Sequence, residues 1–144
     1  MIAALSLAAA LQTLPPATHI AGTWAGPVLN CYSGQCMPGY SWFEVDRSGK
    51  YHGWTIAKKP GDACLSFDEE GWTGQLYRLG RQTLYALNDG AADGYILQVS
   101  RDKQSASSTY IGSEAGVIES NHFYRSAPID TDVLTALVQH KMCQ

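Results

Sequence analysis

Two histidines and a scatter of hydroxyls are the residues of this chain best suited to bond-making chemistry. His52 stands in Tyr51-His52-Gly53-Trp54 and His122 in Asn121-His122-Phe123-Tyr124. Ser107, Ser108 and Ser120 make a conceivable serine–histidine set with His122. Nucleophilic catalysis needs a hydroxyl and its base within hydrogen-bond reach. Hydrolases of one large class present that serine on a Gly-x-Ser-x-Gly turn, and no such turn occurs here. The acidic run Asp68-Glu69-Glu70 reads as a solvated turn rather than a carboxylate pair. A metal on His122 would need a third ligand such as Glu44 or Glu119, and strand alternation puts Glu119 on the face opposite His122. The sequence therefore assigns no catalytic residue, no metal ligand and no cofactor. An enzyme using His122 and a nearby serine is kept as the third reading.

The four cysteines, Cys31, Cys36, Cys64 and Cys143, offer different chemistry. Zinc sites use CxxC pairs or histidine partners at short spacing, and this set has neither. An even count in a small exported chain reads as two disulfides. Four cysteines allow three connectivities. Cys31–Cys36 with Cys64–Cys143 is favoured, because the first pair spans only Tyr-Ser-Gly-Gln and the second would tie the C-terminus to the body of the fold. The braced tip, with Met37 and Pro38 beside it, is either a loop staple or a rigid loop for a protein partner.

Export is read from the N-terminus. Met1 to Leu14 carries no charged side chain, and Ile2 to Leu11 matches the short apolar core of a leader. Spanning a bilayer takes about 20 residues, so this run is too short to anchor the protein. Pro15, Pro16 and Ala17 then break any helix and offer a small residue for cleavage. No Lys or Arg precedes the run, which departs from the leader pattern. Residues 1–18 are thus expected to be a cleaved signal peptide and 19–144 one domain in the periplasm or outside the cell. An uncleaved anchor and a native N-terminal segment are the alternatives.

With 144 residues the chain is long enough for one well-buried core. Charged residues make up 16% and the net charge is −3, with no basic run, so a nucleic-acid partner is not expected. After residue 18, apolar residues recur with period two and turn signals come every eight to twelve residues. Strands are expected at 19–29, 40–46, 51–57, 64–67, 72–79, 82–87, 95–100, 105–111 and 117–125. One segment has helical period: Val133, Leu134, Leu137, Val138 and Met142 form a stripe after the capping run Asp130-Thr131-Asp132. The fold class is all-β: a small antiparallel meander barrel of eight to nine strands, with one C-terminal helix packed outside. An open sandwich is the fold alternative.

Hairpin registers then assign faces. A two-residue Ser48-Gly49 loop would set Val45 opposite His52, Phe43 opposite Trp54 and Ser41 opposite Ile56, all pointing inward. A loop at Asp102-Lys103 puts Tyr95, Leu97 and Val99 on one face with Ala106, Ser108 and Tyr110. A turn over Gly112 to Gly116 would add Ile118, Ser120, His122 and Tyr124. A face so rich in hydroxyls suits a cavity holding water or a ligand; mutual hydrogen bonding, or a register shifted by one, is the alternative. The expected ligand-binding residues are Phe43, Trp54, Tyr95 and Leu97, with Ser108, Tyr110, Ser120 and His122.

Gly22-Thr23-Trp24 on the first strand resembles the Gly-x-Trp signature of the calycins, the lipocalins and avidins. The resemblance extends to Asp93-Gly94-Tyr95, a degraded form of a lipocalin turn element, and to Arg125 in Phe-Tyr-Arg. It implies a closed antiparallel barrel with a ligand site inside. It implies that Arg125 packs over Trp24 as a structural pair and that Cys64 bonds Cys143. Nine strands are one too many for it, and the chain is short. Gly53-Trp54-Thr55-Ile56-Ala57 and Trp72-Thr73-Gly74-Gln75 look like avidin segments, but in the wrong order, so no avidin ligand residues are carried over.

The function expected is therefore export followed by binding of an apolar or amphipathic small molecule in the barrel. A protein-interaction module such as an enzyme inhibitor is the alternative, as is a structural exported protein. The intact mass of the exported protein should lack the leader and fall short of the reduced value by about two hydrogens for each of two bridges; native mass spectrometry reads both at once.

Overall fold

A computed structural model describes residues 14–32, 34–58, 65–67, 69–90, 93–112 and 117–125. Its nine strands are β1 (Gly22–Tyr32), β2 (Gln35–Val45), β3 (Lys50–Lys58), β4 (Leu65–Phe67), β5 (Trp72–Arg78), β6 (Thr83–Asn88), β7 (Gly94–Val99), β8 (Ser105–Ile111) and β9 (Val117–Arg125). All pairings are antiparallel. The sheet runs β2-β1-β9-β8-β7-β6-β5-β3-β4, and β2 also pairs with β3. That extra pairing closes a ring of eight strands and leaves β4 outside it, paired to β3 at Ile56–Phe67, Ala57–Ser66 and Lys58–Leu65. The architecture is a closed antiparallel meander barrel of eight strands, and the ninth strand that the resemblance could not accommodate is an appendage of the ring. The C-terminal helix expected over 131–142 and the Cys64–Cys143 pair lie outside the described residues.

Closure happens at β1, which pairs with β2 along its whole length and with β9 at both ends. Gly26 lets the two backbones meet, because a Cβ there would overlap the His122 carbonyl. Beside this seam Trp24 is 1% exposed. Its indole N–H donates to the Ile20 carbonyl at 2.9 Å. The Arg125 guanidinium lies 5.6 Å above the ring and donates to the Ala21 carbonyl at 2.6 Å. Cation–π attraction and a charge-assisted hydrogen bond thus join the first and last ring strands to the segment that precedes β1.

That segment crosses one end of the barrel. The Ala17 N–H donates to the Leu76 carbonyl at 3.0 Å, and the Arg78 N–H to the Pro15 carbonyl at 2.8 Å. Ala17 is 0% and Ile20 1% exposed. The boundary expected at residue 18 falls inside this packed stretch. Above it lies a tight apolar layer. Trp24 stacks on Phe43 at 6.3 Å, and Phe43 meets Phe123 edge-on at 4.9 Å. Val45, Leu76, Leu84, Val99 and Ala106 fill the rest.

The β2–β3 turn departs from the expected two-residue loop. Asp46 N–H donates to Lys50 O, and Gly49 N–H to Asp46 O. Gly49 takes φ +81°. This is a type I turn closed by a left-handed residue, a three-residue hairpin. Asp46 Oδ1 holds it by accepting from the Ser48 N–H, the Ser48 hydroxyl and the Lys50 N–H. The Ser48 hydroxyl keeps the Asp46 carboxyl below the ordinary range. One extra loop residue turns β3 over. Phe43 therefore pairs with Gly53, Ser41 with Thr55 and Trp42 with Trp54. Tyr51 and Thr55 face inward; His52, Trp54 and Ile56 do not.

Cys31 and Cys36 are bonded and directly opposite each other across the β1–β2 hairpin. The stability of the barrel should depend far more on the β1 seam than on this staple. Trp24→Ala is expected to cost about 3–5 kcal/mol in urea unfolding. Removing the bridge as Cys31→Ser/Cys36→Ser is expected to cost roughly 2 kcal/mol, the loop entropy of a short ring.

Candidate functional site

A cavity of about 240 Å³ lies inside the barrel beside the packed layer. Its position follows from the residue sizes on the inward positions. Alanine stands at 86, where a larger side chain would have filled the space, and Gly53 and Gly74 leave room for the Trp72 and Tyr51 rings that wall it. Tyr51, Trp72, Tyr95, Phe43 and Phe123 give it aromatic walls, and Leu76, Ala86 and Leu97 aliphatic ones. Ser41, Thr55, Ser108 and Asn121 supply the polar atoms. None of the lining residues carries a charge.

The polar residues are not scattered. Thr55 of β3 stands opposite Ser41 of β2, and Ser41 opposite Gly26 of β1. Val28 of β1 stands opposite Asn121 of β9, and Asn121 opposite Ser108 of β8. The next neighbours, Leu97 and Leu84, are apolar. Cross-strand neighbours on one face touch, so the barrel interior has a polar arc of two pairs, Ser41–Thr55 and Ser108–Asn121, interrupted on β1 by Gly26 and Val28, and an apolar wall beyond it. Ser41 and Thr55 hydroxyls bond each other. Asn121 Nδ2 donates to Ser108 Oγ at 2.9 Å. Among the described residues Asn121 Oδ1 is buried and accepts no hydrogen bond.

Near this wall the Tyr51 hydroxyl donates to Asn88 Oδ1 at 2.5 Å. Burial, reinforced by the charges of Asp89 and Asp93, pushes its phenol well above the ordinary tyrosine range. Tyr95 meets Tyr110 edge-on at 5.8 Å, and Tyr110 donates to Asp93 Oδ2 at 3.1 Å.

Of the eight residues expected to bind ligand, Phe43, Tyr95, Leu97 and Ser108 line the cavity. Tyr110 stands one shell back, against Tyr95. Trp54 is on the outer face, stacked on Trp42 at 5.9 Å and on His52 at 4.0 Å. Its indole donates to the Glu69 carbonyl at 3.1 Å. His52 Nε2 is bonded to the Glu70 carbonyl at 2.7 Å. The cause of both displacements is the three-residue turn at Arg47-Ser48-Gly49.

His122 is likewise on the outer face, exposed and opposite Ser107. Ser108 pairs with Asn121, not with a residue of the expected set. The β8–β9 register thus differs by one from the expected register, and Asn121 and Phe123 take the inward places given to His122 and Tyr124. No hydrogen bond joins His122 to Ser107 among the described residues. The side chain of Ser120 lies outside them.

Tyr51, Thr55, Asn121 and Phe123 are lining residues that the sequence reading missed. A signal for two of them was present. A residue at 125 that covers Trp24 from β9 must share its face with Phe123 and Asn121. A signal for Tyr51 and Thr55 was present too, since Asp at the first and Gly at the fourth position mark a type I turn.

No protein-family model matches this chain, and no curated protein matches it. Among solved structures, one described as "The Siderocalin Ex-FABP functions through dual ligand specificities" is similar over 83% of this chain and 83% of its own, with 11% identity and a TM-score of 0.45.

The buried phenol makes a prediction at high pH. A tyrosine whose folded pKa is raised stabilises the fold fully below its unfolded value of 10.0, and that contribution is lost as pH rises beyond it. Urea unfolding should therefore show stability falling above pH 10, and Tyr51→Phe should flatten that fall. At neutral pH the same substitution should cost about 1 kcal/mol for the bond to Asn88.

Proposed function

We propose that this protein is exported and binds one small apolar or amphipathic molecule inside its barrel. The cavity carries this reading. Protein interiors are close-packed, with few voids larger than a water molecule. A space of about 240 Å³ with aromatic walls and a few grouped polar atoms has the composition of a ligand site. An apolar cavity of about 150 Å³ accommodates benzene, so this one suits a molecule of one to two rings. Drug-sized ligands need roughly 300–1,000 Å³, which sets the upper limit. A solidly filled interior would have favoured the protein-interaction reading instead.

The Cys31–Cys36 bridge supports export, because disulfides persist in oxidising compartments. Among the described residues no helix is long and apolar enough to cross a membrane. A leader removed upstream of Leu14 would leave the segment that packs on β5 in the mature protein.

Naphthalene is a probe of suitable size. Titration followed by intrinsic fluorescence should saturate at one site per barrel. Ala86→Phe puts a ring into the cavity from β6 and should weaken binding by tenfold or more while near-UV circular dichroism keeps a folded signature. Unchanged affinity in that folded variant would place the site elsewhere.

A further inference from the structure

We infer that the barrel selects an uncharged aromatic molecule bearing one hydrogen-bond donor, a hydroxyl or N–H, which it gives to Asn121 Oδ1. The inference rests on the cavity reading above and specifies the chemistry of its occupant.

Three observations lead to it. Asn121 is 6% exposed, and among the described residues its Oδ1 is buried with no partner, while its Nδ2 is committed to Ser108 Oγ at 2.9 Å. A buried acceptor left unmatched is costly, so native folds rarely keep one without a use. Second, the neighbouring polar groups do not satisfy it: Ser41 and Thr55 bond each other across β2 and β3. The amide oxygen is therefore a buried cavity acceptor that, among the described residues, no donor of the barrel satisfies. Third, no lining residue is charged. An anion or cation entering would lose its hydration without a counter-charge, which is expensive.

The aromatic walls set the rest of the molecule. Tyr51, Trp72 and Tyr95 present ring surfaces that favour an aromatic body. The polar arc is on one side only, so a slender molecule with one polar edge fits better than one with polar groups at both ends. A phenol or an indole-like ring system has this shape and chemistry.

The test uses three naphthalenes of similar size against the folded full-length protein: 2-naphthol, 2-methylnaphthalene and 2-naphthoate. Their affinities for wild type are compared with those for Asn121→Leu and for Asn121→Leu/Ser108→Ala, the double variant removing both members of the pair so that no new polar group is orphaned. The ratio of 2-naphthol to 2-methylnaphthalene affinity should fall tenfold or more from wild type to either variant, with both variants still binding 2-methylnaphthalene. The naphthoate anion should bind wild type at least tenfold more weakly than the naphthol. An unchanged ratio with retained binding of both neutral ligands would overturn the donor inference and leave the cavity reading standing. Naphthoate binding as tightly as naphthol would overturn the requirement for a neutral molecule. Failure of a folded wild type to bind any of the three would overturn the cavity reading itself.

Discussion

The barrel depends on closure at β1. Eight strands become a ring only because β1 offers one edge to β2 and the other to β9. An open sheet would expose two edges of unpaired N–H and C=O groups. Closure removes both, and it demands that two backbones approach at Gly26 where a side chain cannot fit. Trp24 fills the space beneath the seam, and Arg125 covers it while binding the Ala21 carbonyl. Each contact joins parts of the chain that are distant in sequence. The seam thus holds the N-terminal segment, β1 and β9 together, and the packed layer of Phe43 and Phe123 is built against it.

With the ring closed, the parity of its hairpin loops decides what the interior contains. Successive side chains point to opposite faces, so each loop either keeps or inverts the inward set of the next strand. Asp46 inverts β3 by accepting three hydrogen bonds in its turn. Trp54 and His52 thereby join Trp42 on the outer surface, and the smaller Gly53 and Thr55 face inward. Had Trp54 pointed inward, its indole would have occupied much of the cavity. The open volume inside the barrel therefore depends on the turn that Asp46 holds.

The same parity at β8–β9 brings Asn121 inward beside Ser108. The polar groups this completes lie against the aromatic walls of the cavity. Apolar surface supplies general affinity, while a few fixed polar groups discriminate between ligands. The interior of this barrel carries both kinds of surface.

Much of the architecture was legible in the sequence, because it follows from local rules. Period-two patterning and turn residues mark nine strands, and the observed elements match them within a few residues apart from the ends near the Cys31–Cys36 hairpin. There, β1 and β2 run on to the bridge, since a tight turn needs no separate loop. The Tyr95, Leu97 and Ser108 wall was also legible, because its hairpin register does not depend on distant contacts. The inward faces of β3 and β9 were not, for a physical reason. Both faces of each strand carry aromatic and polar side chains, so hydrophobicity cannot choose between them. Pairing does choose, through a turn held by Asp46 in one case and through the seam that seats Arg125 over Trp24 in the other. Strand number, disulfide hairpin and meander order were written locally in the sequence; the identity of the cavity wall, with Asn121 in place of His122, was decided only by closure of the ring.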